Sequence, residues 1–120
     1  VSFHFSAARE AAGPNRRLDV RLSGRMTLGP HLLEFSRALM DALTACRAGA
    51  VLLDMSRVEA IDSAGLGELM ILFTTAGQHG CRVALLSPSA HIVRVLQTTR
   101  LQAILRDFPD VESAAAWLSG

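Results

Sequence analysis

Apolar residues recur along this chain at two spacings, and the switches between them mark out its elements. Phe3 and Phe5 alternate with Ser2 and His4, which predicts a short strand over 1–5 with its aromatic face inward and His4 toward solvent. Turn chemistry follows in Ala11-Ala12-Gly13-Pro14-Asn15-Arg16. Leu18, Val20 and Leu22 then alternate with Asp19, Arg21 and Ser23, a second strand that Gly24 should end. These two strands are expected to pair antiparallel. The period then changes to that of a helix. From Gly29-Pro30 onward Leu32, Phe35, Leu39, Leu43 and Cys46 share one face and Glu34, Arg37, Asp41 and Arg47 the other, and Ala48-Gly49 closes the helix.

Val51–Leu53 is a short apolar run closed by Asp54, as expected of a buried strand at the centre of a sheet. A polar connector leads to a second helix with Leu66, Leu69, Met70, Phe73 and Ala76 on its predicted inner face. It stops at Gln78-His79-Gly80, with Gly80 left-handed. Cys81–Leu86 is another buried strand. Ser87-Pro88-Ser89 caps a third helix carrying Ile92, Val95 and Leu96, a short strand is expected around Ile104 and Leu105, and Pro109-Asp110 introduces a last helix with Val111, Ala114, Ala115 and Leu118. Strand, helix, strand in succession implies parallel pairing. The pattern predicts one α/β domain over 1–120, a mixed and mostly parallel sheet with about four packed helices, and no linker, repeat or second domain.

Composition narrows the chemistry. Half of the 120 residues are hydrophobic and 19% are charged, enough to bury a sizeable core. A formal net charge of +1, with no basic run, gives no reason to expect direct nucleic-acid binding. Every basic residue is Arg, so mechanisms that need a Schiff-base lysine, a Walker lysine or a lysine phosphate anchor are excluded. Cys46 and Cys81 read as buried thiols of a reducing compartment rather than as a disulfide or metal pair. No apolar run approaches the ~20 residues of a membrane span. A soluble, cytoplasmic protein without a cofactor is therefore expected. His31 is expected to be exposed, His91, Arg94 and Arg100 to form a solvated face rather than a cationic site, and Trp117 to pack in the core.

The chemically distinctive stretch is Asp62-Ser63-Ala64-Gly65-Leu66-Gly67, where the connector meets the second helix. Asp62 and Ser63 are both side chains that cap free amides, and Glu68 adds favourable charge in the early turns. A serine at a helix start is ordinarily such a cap, contributing ~1 kcal/mol. Two features point further. One cap suffices where the sequence supplies two, and Gly65 and Gly67 each cost ~1 kcal/mol relative to Ala inside a helix. Close backbone approach would explain the glycines, either internally against the sheet or externally by a partner reaching Ser63.

In this setting the hexapeptide resembles the signature of STAS domains, the family named for sulfate transporters and anti-sigma factor antagonists. The resemblance extends from about Phe3 to Leu118. It implies that Ser63 matches the serine phosphorylated in the antagonists and that Asp62, Ser63, Ala64, Gly65, Leu66, Gly67 and Met70 contact the partner. The implied partner is an anti-sigma factor with serine kinase activity, a PP2C-type phosphatase resets the switch, and the protein is not an enzyme. One departure stands out. Antagonists often carry acidic residues after a glycine in the second strand, whereas this chain has Gly24-Arg25-Met26-Thr27, so a partner would meet Arg25 instead. A STAS subunit of a transporter ATPase or stress-sensing scaffold, without a phosphorylation switch, is the alternative. A two-component receiver using Asp54 is disfavoured, since it needs an acidic pair after the first strand and a lysine. A hydrolase built on Asp54, Asp62 and Ser63 has no histidine nearby in sequence, with His79 and His91 the remaining candidates in space.

Overall fold

The computed structural model describes residues 4–9, 17–46 and 49–119, with no side-chain description for 6–9 and 42–46. Five strands form one sheet in the order β1-β2-β3-β4-β5: β1 (His4–Arg9), β2 (Arg17–Met26), β3 (Ala50–Ile61), β4 (Arg82–Leu86) and β5 (Arg106–Phe108). β1 pairs antiparallel with β2, and the other three pairings are parallel, so the sheet is mixed and mostly parallel as expected. The helices are α1 (Pro30–Cys46), α2 (Ser63–Gln78), α3 (Ala90–Thr98) and α4 (Val111–Ser119).

Alternation along the strands separates two cores. Leu18, Val20, Leu22, Val51, Leu53, Met55, Val83 and Leu85 face α1, α2 and α3, where Leu32, Phe35, Leu39, Leu69, Leu72, Ala76, Ile92 and Leu96 complete the main core. Ala50, Leu52, Ala84 and Leu86 point the other way, against Ala114 and Leu118 of α4. Val83 to Leu86 are all buried because β4 is covered on both faces. Trp117 packs beside this smaller core, half-buried, its ring 5.5 Å from that of Phe108 and under the guanidinium of Arg82 at 5.1 Å.

Several boundaries differ from those the pattern predicts. β3 does not stop at Asp54. It runs on through the polar stretch to Ile61, pairing Arg57 with Ser23, Val58 with Gly24, Ala60 with Arg25 and Ile61 with Met26. Two register shifts interrupt this ladder, and they break the alternation by which a strand is recognised. For the same reason Gly24 does not end β2. It sits in the ladder at φ 88°, a left-handed conformation suited to glycine, and pairing continues to Met26. β5 lies at Arg106–Phe108 and not at Ile104–Leu105. A 3-10 turn over Leu101–Ala103 leaves Leu105 in the main core, while Ala84–Leu86 supplies the backbone partners for the strand. The described part of β1 runs from His4 to Arg9, past the end expected at Phe5. Phe5 reaches the inner face edge-on against Phe35, with ring centroids 5.3 Å apart.

α2 is also turned differently. Its buried line is Gly65, Leu69, Leu72 and Ala76, with Leu66, Met70 and Phe73 half-buried. The helix is apolar almost all round, so periodicity does not single out the inward face. Gly80 is left-handed at φ 70°, and Ser89 caps α3 by accepting from the Ile92 amide at 3.3 Å, both as expected. His31, His91, Arg94 and Arg100 are exposed. Phe3, the 11–16 turn, Arg47, Ala48 and the side chains of Leu43 and Cys46 lie outside the described residues.

Candidate functional site

The end of β3 meets the start of α2 beside the end of β2, and a single carboxylate fastens the three together. Asp62 is the N-cap of α2, with extended backbone at φ −112° and ψ −174°. Its Oδ1 accepts from the Gly65 amide at 2.9 Å, the bond that a cap makes to the first helical turn. Its Oδ2 accepts from the Leu28 amide at 3.0 Å, reaching across 34 positions of sequence to the segment between β2 and α1. The Asp62 amide in turn donates to the Met26 carbonyl at 3.4 Å. The Leu28 amide, and after it the Gly65 amide, hold the Asp62 carboxyl below its ordinary range, because each donor stabilises the ionised form.

This arrangement settles which of the two capping candidates is used. Asp62 performs the capping, and Ser63, the first residue of α2, is left exposed with no hydrogen bond from its hydroxyl among the described residues. The hydroxyl therefore sits free at the positively polarised end of a 16-residue helix.

The two glycines have different reasons. A Cβ on Gly65 would overlap the Met26 carbonyl oxygen and lie 2.8 Å from Ile61 Cγ1, so close approach there is internal, helix against β2. Gly65 is buried and acts as a spacer between α2 and β2. At Gly67 a Cβ would meet nothing within 4 Å. It lies one turn beyond Ser63 on the same face, and its missing side chain leaves the approach to the serine open.

The exposed ridge of α2 continues through Gly67 to Ile71, 50% exposed, with Leu66 and Met70 half-buried on its flank. Ala64 is half-buried toward the main core. Leu28, 76% exposed, stands on the segment whose amide Asp62 holds. Arg25 is exposed near the end of β2, opposite Ala60. The fold thus gathers Asp62, Ser63, Gly67 and the segment after Arg25 at one end of the sheet, while Met70 lies nearly two turns along the helix. Leu28 and Ile71 were missed by sequence reasoning. Leu28 falls outside the α1 periodicity in a turn, where an apolar residue has no core to face, and that was the available signal. Glu68 lies in the second turn, not the first, with Oε2 shielded from solvent and lacking a hydrogen-bond partner among the described residues.

The other candidates resolve differently. Asp54 accepts from the Ser56 amide at 3.0 Å and the Ser56 hydroxyl at 2.7 Å, a local turn within β3, and no lysine exists to complete a receiver site. Cys81 is a free buried thiol, and burial pushes its pKa up to about 11, which suppresses the reactive thiolate. Among the described residues no group of three His, Cys, Asp or Glu is placed to hold a metal, and no helix is long and apolar enough to cross a membrane.

Comparison with known proteins bears on the family and the fold. The family model described as STAS domain matches residues 9–114. A Thermotoga neapolitana protein, named as a homologue of the candidate anti-sigma factor antagonist TM1081, is 28% identical over 107 residues, covering 89% of this chain and 87% of its own. The crystal structure of TM1081 itself, from Thermotoga maritima, superposes with a TM-score of 0.80 at 20% identity, covering 95% of both chains. The anti-sigma factor antagonist SpoIIAA in its unphosphorylated form superposes with a TM-score of 0.74 at 19% identity, over 96% of this chain and 98% of that one. Its phosphorylated form, from Bacillus, gives 0.67 at 18% identity, over 91% and 96%.

Proposed function

This chain belongs to the STAS domain family, and from that premise we propose that it is an anti-sigma factor antagonist switched by phosphorylation of Ser63. The unphosphorylated protein binds an anti-sigma factor that is also a serine kinase, through Ser63, Gly67, Leu66, Met70 and the exposed Leu28 and Ile71, with Arg25 at the rim. The kinase phosphorylates Ser63, and a PP2C-type phosphatase restores it. The protein works as a binding module in the cytoplasm and carries out no chemistry of its own.

The observation that carries this reading is the division of labour between Asp62 and Ser63. The helix cap is complete without the serine, so the hydroxyl is available to another protein. Phosphorylation would add about −1.5 to −2 charge at that point. The helix end tolerates an anion, so the fold need not change. The surface changes instead. A dianion beside the Asp62 carboxylate and within an apolar rim of Leu28 and Ile71 must be desolvated by any partner shaped around a neutral hydroxyl, and that is strongly unfavourable.

The test is affinity capture from the source organism's lysate with wild-type, Ser63→Ala and Ser63→Glu proteins, with mass spectrometry at Ser63. A kinase-fold anti-sigma factor recovered by wild-type and Ser63→Ala but not by Ser63→Glu, together with phosphate on Ser63, supports the proposal. Recovery of transporter components by all three, with Ser63 unmodified, overturns it in favour of a constitutive STAS subunit. The exchange of acidic residues for Arg25 keeps that second reading in view, since a partner matched to carboxylates would meet a guanidinium there.

A further inference from the structure

Among the described residues the sheet is covered on one face by α1, α2 and α3, and on the other α4 packs mainly over β3, β4 and β5. The strip left by β1, β2 and the outer half of β3 is polar: Asp19, Arg21 and Ser23 alternate outward on β2, and Asp54, Ser56 and Arg57 on β3. A cavity of about 450 Å³ lies here, its polar lining made by His4, Arg21, Ser23, Asp54, Ser56 and Arg57, within the size range of small-molecule sites.

Two features give the cavity its charge. The first is the bulge in β3. Between the pairs Arg21–Asp54 and Ser23–Arg57, β2 spends one residue and β3 two, so Ser56 and Arg57 both point outward while Met55 and Val58 are both buried. The bulge thereby delivers a second guanidinium to the side that Arg21 already faces. The second feature is what the acids do. Arg21 stands directly across from Asp54, a position in which opposite charges commonly pair. Here they do not: Asp54 is turned to the Ser56 amide and hydroxyl, and Asp19 is held by Arg17 at 2.7 Å and 3.3 Å. Both acids of the strip are engaged locally. Arg21 and Arg57 make no hydrogen bond or ion pair among the described residues.

We infer that the cavity between β1, β2 and the β3 bulge binds a small organic anion, its carboxylate or phosphate held by Arg21 and Arg57 and its body resting against His4. Paired guanidinium forks match the planar or tetrahedral oxygens of such head groups, and the Ser23 hydroxyl can add a further donor. The strip faces away from α2, so the inference stands or falls separately from the Ser63 reading.

The test is an amide NMR titration of the full chain with phenyl phosphate, with benzoate, and with uncharged benzyl alcohol. One or both anions should give saturating one-to-one shifts at Arg21–Ser23 and Ser56–Val58, with benzyl alcohol giving none, and the anion that saturates identifies the head group. The Arg21→Gln/Arg57→Gln variant should bind at least tenfold more weakly, and an Arg94→Gln/Arg100→Gln variant as wild-type does. Should the double variant lose its dispersed spectrum, each single variant carries the comparison. Shifts that stay linear well beyond ~1 mM, the Kd of weak specific binding, or equal weakening by the Arg94/Arg100 variant, would overturn the inference.

Discussion

Gly65→Ala and Gly67→Ala make the same chemical change two positions apart in one helix, and the structure predicts opposite outcomes. At Gly67 the new methyl meets nothing, so only helix propensity acts, a stabilisation of ~1 kcal/mol. For a chain of this size that raises Tm by roughly 3–5 °C. At Gly65 the same benefit is opposed by overlap with the Met26 carbonyl, which is backbone and cannot rotate away. Overpacking of this kind costs about 1–3 kcal/mol. Relieving it means separating α2 from β2, which strains the bonds from Asp62 to Met26 and from Leu28 to Asp62. With the cost in the upper part of that range, because the obstacle is backbone, the two variants should differ by about 2–3 kcal/mol in urea unfolding, with Gly65→Ala below wild-type and Gly67→Ala above it. Equal shifts, or a Gly65→Ala protein as stable as wild-type, would refute the assignment of Gly65 as a spacer. Binding should then part company with stability: Gly67→Ala, although more stable, narrows the approach to Ser63 and should weaken capture of the proposed anti-sigma factor partner.

Other outcomes follow from single contacts. The Asp62 carboxyl is held below its ordinary range, so its contribution to stability is fully present above the usual carboxylate pKa of about 4 and is lost as pH falls through the lowered folded-state value. Asp62→Asn should lower Tm at pH 7 and reduce the steepness of acid unfolding, as followed by circular dichroism. Cys81, with its pKa near 11, should resist iodoacetamide at pH 8 in a Cys46→Ser background and react only on denaturation, and rapid native labelling would contradict its burial. Glu68→Ala removes a shielded oxygen that lacks a partner and adds helix propensity, so it should leave the thermal midpoint unchanged or raised, and a clear fall would reveal a partner for the carboxylate.

The order and type of the elements are properties of the sequence itself. Period-two and period-three-to-four spacing of apolar residues reflects how strands and helices present side chains, and no long-range information is needed to see it in Leu18-Val20-Leu22 or in Leu32-Phe35-Leu39. The capping sites were legible for the same reason, because Asp62 and Ser89 act on amides within three residues of themselves. What the sequence left open depended on pairing between distant segments. β3 reaches Ile61 because β2 offers backbone partners out to Met26, and the bulges that permit this erase the alternation that would have announced it. β5 falls on Arg106–Phe108 because that is where β4 can pair, whatever the hydrophobicity of Ile104 and Leu105. The site divides along the same line. Asp62-Ser63 at a helix start is local and visible. Which of the two caps, and which glycine is a spacer and which an opening, was decided only when the Leu28 amide and the Met26 carbonyl arrived from 34 and 36 positions away, since hydrogen bonding and excluded volume act through space and leave no period in the chain.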